Sequence, residues 1–333
     1  MGDKTGIAWT NATWNPVRGC APVSPGCANC YAARMASRFS GPGQPYEGLA
    51  SGGRWTGAVR FVPEMLDLPL RWRKPRRVFV NSMSDLFHDD VADWQIARVF
   101  AVMAVSRRHT FQILTKRPGR MARLLARGFN ELVEETIAGD ALLWPTSAVL
   151  EVEGFGGVYS PAQMGDEGRI ELPACWEGHT IPWPLPNVWL GVSAEDQARA
   201  DERIQLLLQT PAAVRFVSCE PLLGPIDFRE VPGFNRVGLD LGGWWVIVGG
   251  ESGPHARPCS VEWVRSIVRQ CKTAGVPVFI KQLGANYCDA ANGIGGRHTP
   301  QPDTIPPIRR LTDGHGRDMA EWPEDLRVRE YPR

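Results

Sequence analysis

The stretch Arg77-Val78-Phe79-Val80-Asn81-Ser82 decides the fold, because it is a short β-branched run that ends in polar residues. Such a run is typical of a buried strand. With a first strand expected at residues 6–10, similar runs bring the total to seven; the other five lie at 110–115, 187–193, 214–218, 244–249 and 277–281. Helical patterns lie between them at 92–105, 120–126, 194–209 and 261–274. This alternation predicts an α/β fold, a partial βα barrel of parallel strands, with an open doubly wound sheet as the alternative.

Polar or glycine residues follow the predicted strands. They are Ser82, Ser84 and Asp85; Lys116 and Arg117; Ser193, Glu195 and Asp196; Cys219 and Glu220; Gly249, Gly250, Glu251 and Ser252; and Lys281 and Gln282. Because the carboxyl ends of barrel strands share one face, we expect these residues to surround one cavity. Each residue taken alone also fits a helix cap or an exposed turn.

Three cysteines, Cys20, Cys27 and Cys30, lie within eleven residues. Proline and glycine between the first two predict a folded-back loop, and a helix-forming run from Cys30 puts the other two at a helix N-terminus, which favours thiolates. Three thiolates can hold a [4Fe-4S] cluster and leave one iron open. A structural zinc site takes four ligands, and the candidates for a fourth lie far along the chain: Cys175, His179, Cys219, His255 and Cys259. Zinc is therefore the alternative, and Cys175 with His179 is a weaker candidate for a second half-site.

Composition sets few limits on function. The 333 residues carry a net charge of +1 and eight cysteines, without a leader-like start or a run long enough to cross a bilayer. We therefore expect a cytoplasmic protein with no membrane partner. A local basic run at residues 71–77 is either a solvated helix end or a nucleic-acid contact.

The alternation of predicted strands and helices also predicts the domain organisation. Residues 1–128 form the first part of the barrel with the cysteine loop, and residues 187–284 form the second part. Residues 129–186 break the rhythm with glycine, proline and acidic residues, which predicts an inserted lid. Residues 285–333 form a C-terminal extension that either straps across the domain or is partly mobile.

The chain resembles the three-Cys-motif proteins of phages and bacteria, a family related to radical S-adenosylmethionine enzymes. The resemblance is carried by Trp14-Asn15-Pro16, Gly19-Cys20, Pro25-Gly26-Cys27-Ala28-Asn29-Cys30-Tyr31-Ala32 and the segments 81–87, 114–118, 187–193 and 249–253. It implies a [4Fe-4S] cluster on Cys20, Cys27 and Cys30, with the amino and carboxylate groups of S-adenosylmethionine on the fourth iron. It also implies reductive cleavage to a 5′-deoxyadenosyl radical and a possible three-Cys-motif partner protein.

Two features depart from the radical enzymes that the chain resembles. Six residues separate Cys20 from Cys27, where the usual spacing has three. Gly249-Gly250-Glu251 resembles the stretch that holds the methionine amino group in that superfamily, but it follows the sixth predicted strand and not the second. Ser82, Ser84 or Asp85 is the alternative holder of the amino group. Lys116, Glu195 and Glu220 complete the predicted cofactor-binding set.

Three functions follow from these patterns. The first is a radical S-adenosylmethionine-type enzyme acting on a nucleic acid or nucleotide, with Lys116, Arg117, Arg257 and Lys281 as the basic contacts. The alternative is a zinc-containing nucleic-acid-binding protein without redox chemistry. The third is a hydrolase or transferase with Cys219 as nucleophile and Glu220 or Glu251 as general base.

Overall fold

The computed structural model describes residues 5–126, 128–139, 150–152, 157–159, 181–231, 243–289, 294–295 and 311–332. It contains two compact units. The first unit comprises Met1–Ala21, Ala36–Leu190 and Thr210–Ala213, and the second comprises Pro22–Met35, Gly191–Gln209 and Val214–Arg333. Most of the predicted lid, including Cys175 and His179, lies outside the described residues.

The described residues form the following strands and α-helices. The strands are β1 Ala12–Trp14, β2 Val17–Arg18, β3 Ala50–Ser51, β4 Arg54–Trp55, β5 Arg60–Phe61, β6 Arg77–Val80, β7 Thr110–Thr115, β8 Leu150–Val152, β9 Gly157–Tyr159, β10 Val188–Ser193, β11 Val214–Cys219, β12 Trp244–Gly249, β13 Cys259–Ser260, β14 Val278–Gln282, β15 Tyr287–Asp289 and β16 Ile294–Gly295. The helices are α1 Tyr31–Ser37, α2 Asp93–Val105, α3 Pro118–Leu124, α4 Phe129–Gly139, α5 Gln197–Leu208 and α6 Val261–Ala274.

The principal sheet has seven strands in the order β1-β6-β7-β10-β11-β12-β14. The pairs β1/β6, β6/β7, β11/β12 and β12/β14 are parallel. The chain is therefore a mixed α/β protein with a seven-stranded parallel sheet, as the strand and helix rhythm predicts, and it is consistent with a partial βα barrel.

The predicted first strand at residues 6–10 is wrong. There the amide of Thr10 donates to the carbonyl of Ile7 (3.3 Å), which closes a turn. Pairing with the next strand begins only where the amide of Asn11 donates to the carbonyl of Arg77 (3.1 Å), and β1 follows at Ala12–Trp14. The turn is favoured because Trp9 folds back against Phe79, with ring centroids 4.6 Å apart.

Helix α2 forms the core of the first unit. Its apolar residues are buried on nearly every side, which is expected for a helix enclosed by other elements. Phe100 packs edge-on against Phe129 of α4, with ring centroids 5.3 Å apart. At its start, the Gln95 side chain accepts a hydrogen bond from the amide of Ala92 (3.0 Å). This cap fixes the helix immediately after the loop that follows β6.

Helix α6 and the C-terminal residues complete the second unit. The Ser260 hydroxyl accepts from the amide of Glu262 (3.3 Å) and caps α6, which ends at the left-handed Gly275 (φ 66°). The C-terminal residues then pair with β14: Ile280 donates to the carbonyl of Val328 and Glu330 donates to the carbonyl of Val278, both at 3.0 Å. The described end of the C-terminal extension is thus bound to a strand of the principal sheet.

Within the described residues, every helix is too short or too polar to cross a bilayer.

Candidate functional site: the cysteine segment and its carboxylate anchors

Asp85 lies at the carboxyl end of β6 in the first unit and is only 6% exposed. One carboxylate oxygen accepts from the Thr115 hydroxyl (2.7 Å) and the amide of Phe87 (3.0 Å). The other accepts from the amide of Lys116 (3.1 Å) and from the guanidinium of Arg117 (3.2 Å). With its acceptors filled by neighbouring strand ends, Asp85 fixes the direction of the Arg117 side chain.

Arg117, held by Asp85, contacts the first cysteine. Its Nη1 lies 3.8 Å from the Cys20 sulfur, and its Nη2 donates to the carbonyl of Ala21 (3.0 Å). Burial alone would lower the pKa of the guanidinium, but the charges of Asp85 and Cys20 outweigh it and raise that pKa. Arg117 is therefore a permanent cation against a cysteine sulfur, an environment that favours the thiolate.

The predicted serines hold the backbone that leads to Cys20. The Ser84 hydroxyl donates to the carbonyl of Val17 (2.8 Å), and the Ser82 hydroxyl donates to the side-chain oxygen of Asn15 (3.2 Å). Gly19 has φ 89° and lies so close to the carbonyl of Ala58 that a Cβ would overlap it. A glycine is thus required immediately before the first cysteine.

The cysteine segment is the stretch of residues 20–30, and Glu195 anchors the part of it that belongs to the second unit. Its side chain is fully buried, and one oxygen accepts from the Ser24 hydroxyl and from the amide of Gly26 (3.2 Å). The other oxygen accepts from Arg203 (3.0 Å), whose side chain is 3% exposed. A buried carboxylate is stable only when it is paired and hydrogen-bonded, and Glu195 meets both conditions. It therefore fixes the turn that carries Cys27.

Glu251 holds the same segment from the far side of Cys27. Its Oε2 accepts from the Asn29 side chain (2.9 Å) and from the amide of Arg257 (2.8 Å). Arg257 also donates to the carbonyl of Pro25 (2.8 Å) and lies within electrostatic range of Cys27. Burial would raise the pKa of the Glu251 carboxyl, but hydrogen bonds from Arg257 and Asn29 outweigh it and lower the pKa. Glu251 is therefore ionised, and its oxygens already accept hydrogen bonds from Asn29 and Arg257.

The glycines beside Glu251 differ in their surroundings. A Cβ on Gly250 would overlap the carbonyl of Leu283, whereas one on Gly249 would make ordinary contacts at 3.4 Å or more. At Gly253 (φ 108°) a Cβ would lie 2.7 Å from the Arg34 guanidinium, which donates to the carbonyl of Ser252 (3.1 Å). Gly250 and Gly253 therefore serve close packing, and Arg34 joins the segment after β12 to α1.

Glu220 and Lys281 form an ion pair at the carboxyl ends of β11 and β14, each side chain about one-fifth exposed or less. Gly249, on the strand between them, would place a Cβ 3.4 Å from the Glu220 carboxyl carbon. The neighbouring Cys219 is buried, and burial, with smaller effects from Cys271 and Glu195, raises the pKa of its thiol well above the ordinary value. A neutral, buried thiol is a poor nucleophile, which disfavours the hydrolase hypothesis.

Asp196 has a structural role. Its side chain accepts from the amide of Arg199 (2.9 Å) and caps α5. This is the helix-cap alternative that the sequence leaves open for residues after strands.

The donor chemistry of the three predicted ligands fits a thiolate-bound group. Cys20, Cys27 and Cys30 are partly exposed, and none of them forms a disulfide with a described residue. Cys20 belongs to the first unit, and Cys27 and Cys30 belong to the second. Cys30 lies immediately before α1, and its carbonyl accepts from the amide of Arg34 (3.3 Å). In the part of the chain that the structure describes, no three His, Cys, Asp or Glu residues are grouped as a metal site.

The fold and these contacts define an α/β protein whose cysteine segment is anchored by buried carboxylate and arginine pairs. The chain belongs to the family described as protein of unknown function DUF5131, whose model matches residues 4–319. No curated protein and no solved structure matches it.

Sequence reasoning finds the residue types at the strand ends but not all of their contacts. It assigns Arg117 and Arg257 to nucleic acid, whereas the structure puts Arg117 on Cys20 and Arg257 on Glu251. It also misses Arg203 and Asn29. The partner of Asn29 is more than 200 residues away, so no local pattern marks it.

Proposed function

We propose that the protein is a radical S-adenosylmethionine-type iron–sulfur enzyme, with Cys20, Cys27 and Cys30 as ligands of a [4Fe-4S] cluster. When bound, the cluster would supply the electron that cleaves S-adenosylmethionine to a 5′-deoxyadenosyl radical. The observation that carries the proposal is that buried ionic groups hold the cysteine segment, whose three cysteines are partly exposed and form no disulfide with a described residue. A structural disulfide or a buried core thiol needs no such support.

Two cations match the charge of such a centre. Arg117 lies against the Cys20 sulfur, and Arg257 lies within electrostatic range of Cys27. Hydrogen bonds and positive charge around cluster sulfurs stabilise the added electron and so raise the reduction potential. These residues would bind and orient the ligands without being ligands themselves.

The strand-end residues have separate parts in this proposal. Glu195 and Glu251 position the cysteine segment, and Ser82, Ser84 and Asp85 position the backbone around Cys20. Glu220 and Lys281, with Gly249 between them, are the half-buried polar groups left for contact with S-adenosylmethionine or a substrate. The substrate class in this proposal stays a nucleic acid or a nucleotide, with Lys116 and Lys281 as its basic contacts, because Arg117 and Arg257 bind Cys20 and Glu251.

The test is metal analysis after anaerobic purification and reconstitution with iron and sulfide. We expect about four irons per chain, and 5′-deoxyadenosine after reduction in the presence of S-adenosylmethionine. Cys30→Ala should lose the iron. Cys219→Ala is the matched control, because Cys219 is a buried thiol with no part in the proposed cluster, and this variant should keep the iron.

Two results of the same metal analysis would contradict this expectation. One tightly held zinc per chain, or an iron content that does not change in Cys30→Ala, would refute the proposal. The zinc result would favour the alternative of a nucleic-acid-binding protein without redox chemistry.

A further inference from the structure

The amino ends of two neighbouring strands in the first unit carry a concentration of cations. β6 and β7 are parallel, and Arg77 lies opposite Thr110. The loops that lead into these strands therefore lie side by side. The basic rim, as we name this surface, consists of Arg71, Arg73, Lys74, Arg76, Arg77, Arg107 and Arg108.

His109 joins the two loops of the basic rim. Its Nδ1 accepts from the amide of Arg76 (3.2 Å), so its Nε2–H is the donor to the carbonyl of Pro69 (3.0 Å). The amide of Thr110 also donates to the carbonyl of Arg76 (2.9 Å). The Arg76 guanidinium stacks over the Trp72 ring, 4.8 Å from its centroid. These contacts order the rim before any partner binds.

Four of the seven cations are exposed to solvent: Arg71, Arg73, Lys74 and Arg107. Arg73 and Lys74 make no ion pair among the described residues. Arg71 pairs with Asp67, and its side chain remains 60% exposed. The whole chain carries a net charge of only +1, so this surface is a local concentration of positive charge.

We propose that the basic rim binds the phosphate backbone of a nucleic acid. Six of its seven cations are arginines, whose planar guanidinium groups match phosphate oxygens in pairs. The rim also lacks the apolar side chains with which a protein enters a lipid surface. The large exposed hydrophobic residues lie at other positions: Val23, Tyr31, Met35, Phe39 and Trp94.

The rim is distinct from the strand ends that hold the cysteine segment. Strand β7 runs from Thr110, beside the rim, to Thr115, beside Asp85, and six residues of strand span roughly 17 Å. Backbone contacts at the rim therefore do not occupy the groups around Cys20. The inference concerns a docking surface and rests on the proposed function only where the bound nucleic acid is also the substrate.

The test measures binding of a fluorescent 30-base-pair DNA duplex to the full chain across a range of salt concentrations. The four exposed cations of the rim predict a slope of log affinity against log salt near −3.6, at about −0.9 per contact. Arg73→Glu with Lys74→Glu removes two contacts. The slope should become about −1.8, and the affinity at 0.1 M salt should fall roughly 60-fold.

Arg54→Glu with Arg123→Glu is the matched control, because both arginines are exposed in the same unit and the change in net charge is identical. The control should retain most of the affinity. Equal losses in the two double variants, or a wild-type slope near zero, would overturn the proposal. Binding to phosphatidylserine vesicles without binding to the duplex, a single strand or RNA would also overturn it.

Iron content distinguishes this proposal from the proposed function. The rim variant should keep the iron of the wild type, because none of its changes touches the cysteine segment. DNA binding that depends on the rim, in a protein that holds no iron, would support this inference and refute the cluster. A protein that holds iron but whose DNA binding does not depend on the rim would refute this inference and support the cluster.

Discussion

Replacing Glu195 by glutamine tests the strongest anchor of the cysteine segment. The change leaves Arg203 as a buried cation, 3% exposed, without its carboxylate. It also weakens the hydrogen bonds that the side chain at position 195 accepts from the Ser24 hydroxyl and the Gly26 amide. Removing one partner of a buried ion pair costs about 3–5 kcal/mol. We therefore expect the free energy of unfolding to fall by about that amount and the melting temperature of the 333-residue chain to fall by roughly 4–7 °C.

Two further variants identify the cause. Glu195→Gln with Arg203→Met removes both charges, so it should recover at least half of the lost stability. Glu262→Gln removes a carboxylate whose side chain is 58% exposed, and it should cost less than about 1 kcal/mol. Urea unfolding followed by tryptophan fluorescence measures all three. If Glu195→Gln is no more costly than Glu262→Gln, Glu195 is not the anchor that its contacts indicate.

Three other predictions follow from the same contacts. Gly250→Ala should destabilise the fold strongly in thermal unfolding, since a Cβ there overlaps a backbone carbonyl, while Gly249→Ala should be mild; similar costs would contradict the packing argument. Asp85→Asn should leave a buried guanidinium unpaired and cost about 3–5 kcal/mol, and a near-neutral result would contradict its role. Burial chiefly lowers the pKa values of His88 and His109 from 6.5, so the unfolded chain takes up more protons. Stability should be full above pH 6.5 and should decline as the pH falls towards the lowered values, so a rise on acidification would be contrary.

The parallel sheet could be predicted from the sequence because each strand after the first is a short run rich in branched apolar residues. β7, β12 and α6 all have the predicted bounds. The first strand could not be predicted, because Ile7 and Trp9 supply apolar residues to a turn. Local pattern alone does not separate a short strand from a turn that packs on an aromatic ring.

The sequence predicts which types of residue form the site, but it does not predict their hydrogen-bond partners. Glu195 and Glu251 follow strands, as a strand-end rule requires, yet their contacts with Ser24 and Asn29 span 171 and 222 residues. Such pairings depend on which strand ends lie close together in space. The hydrogen bond from Asn29 to Glu251 therefore emerges only when the strands are assembled.

The central claim is that three cysteines hold an iron–sulfur cluster with one iron open to S-adenosylmethionine. Electron–nuclear double resonance of the reduced, iron-loaded protein tests it directly, with S-adenosylmethionine labelled by ¹⁵N at its amino group. The account predicts a ¹⁵N hyperfine coupling, which a ¹⁴N coupling replaces when the cofactor is unlabelled. A reduced cluster that shows no such coupling would contradict it.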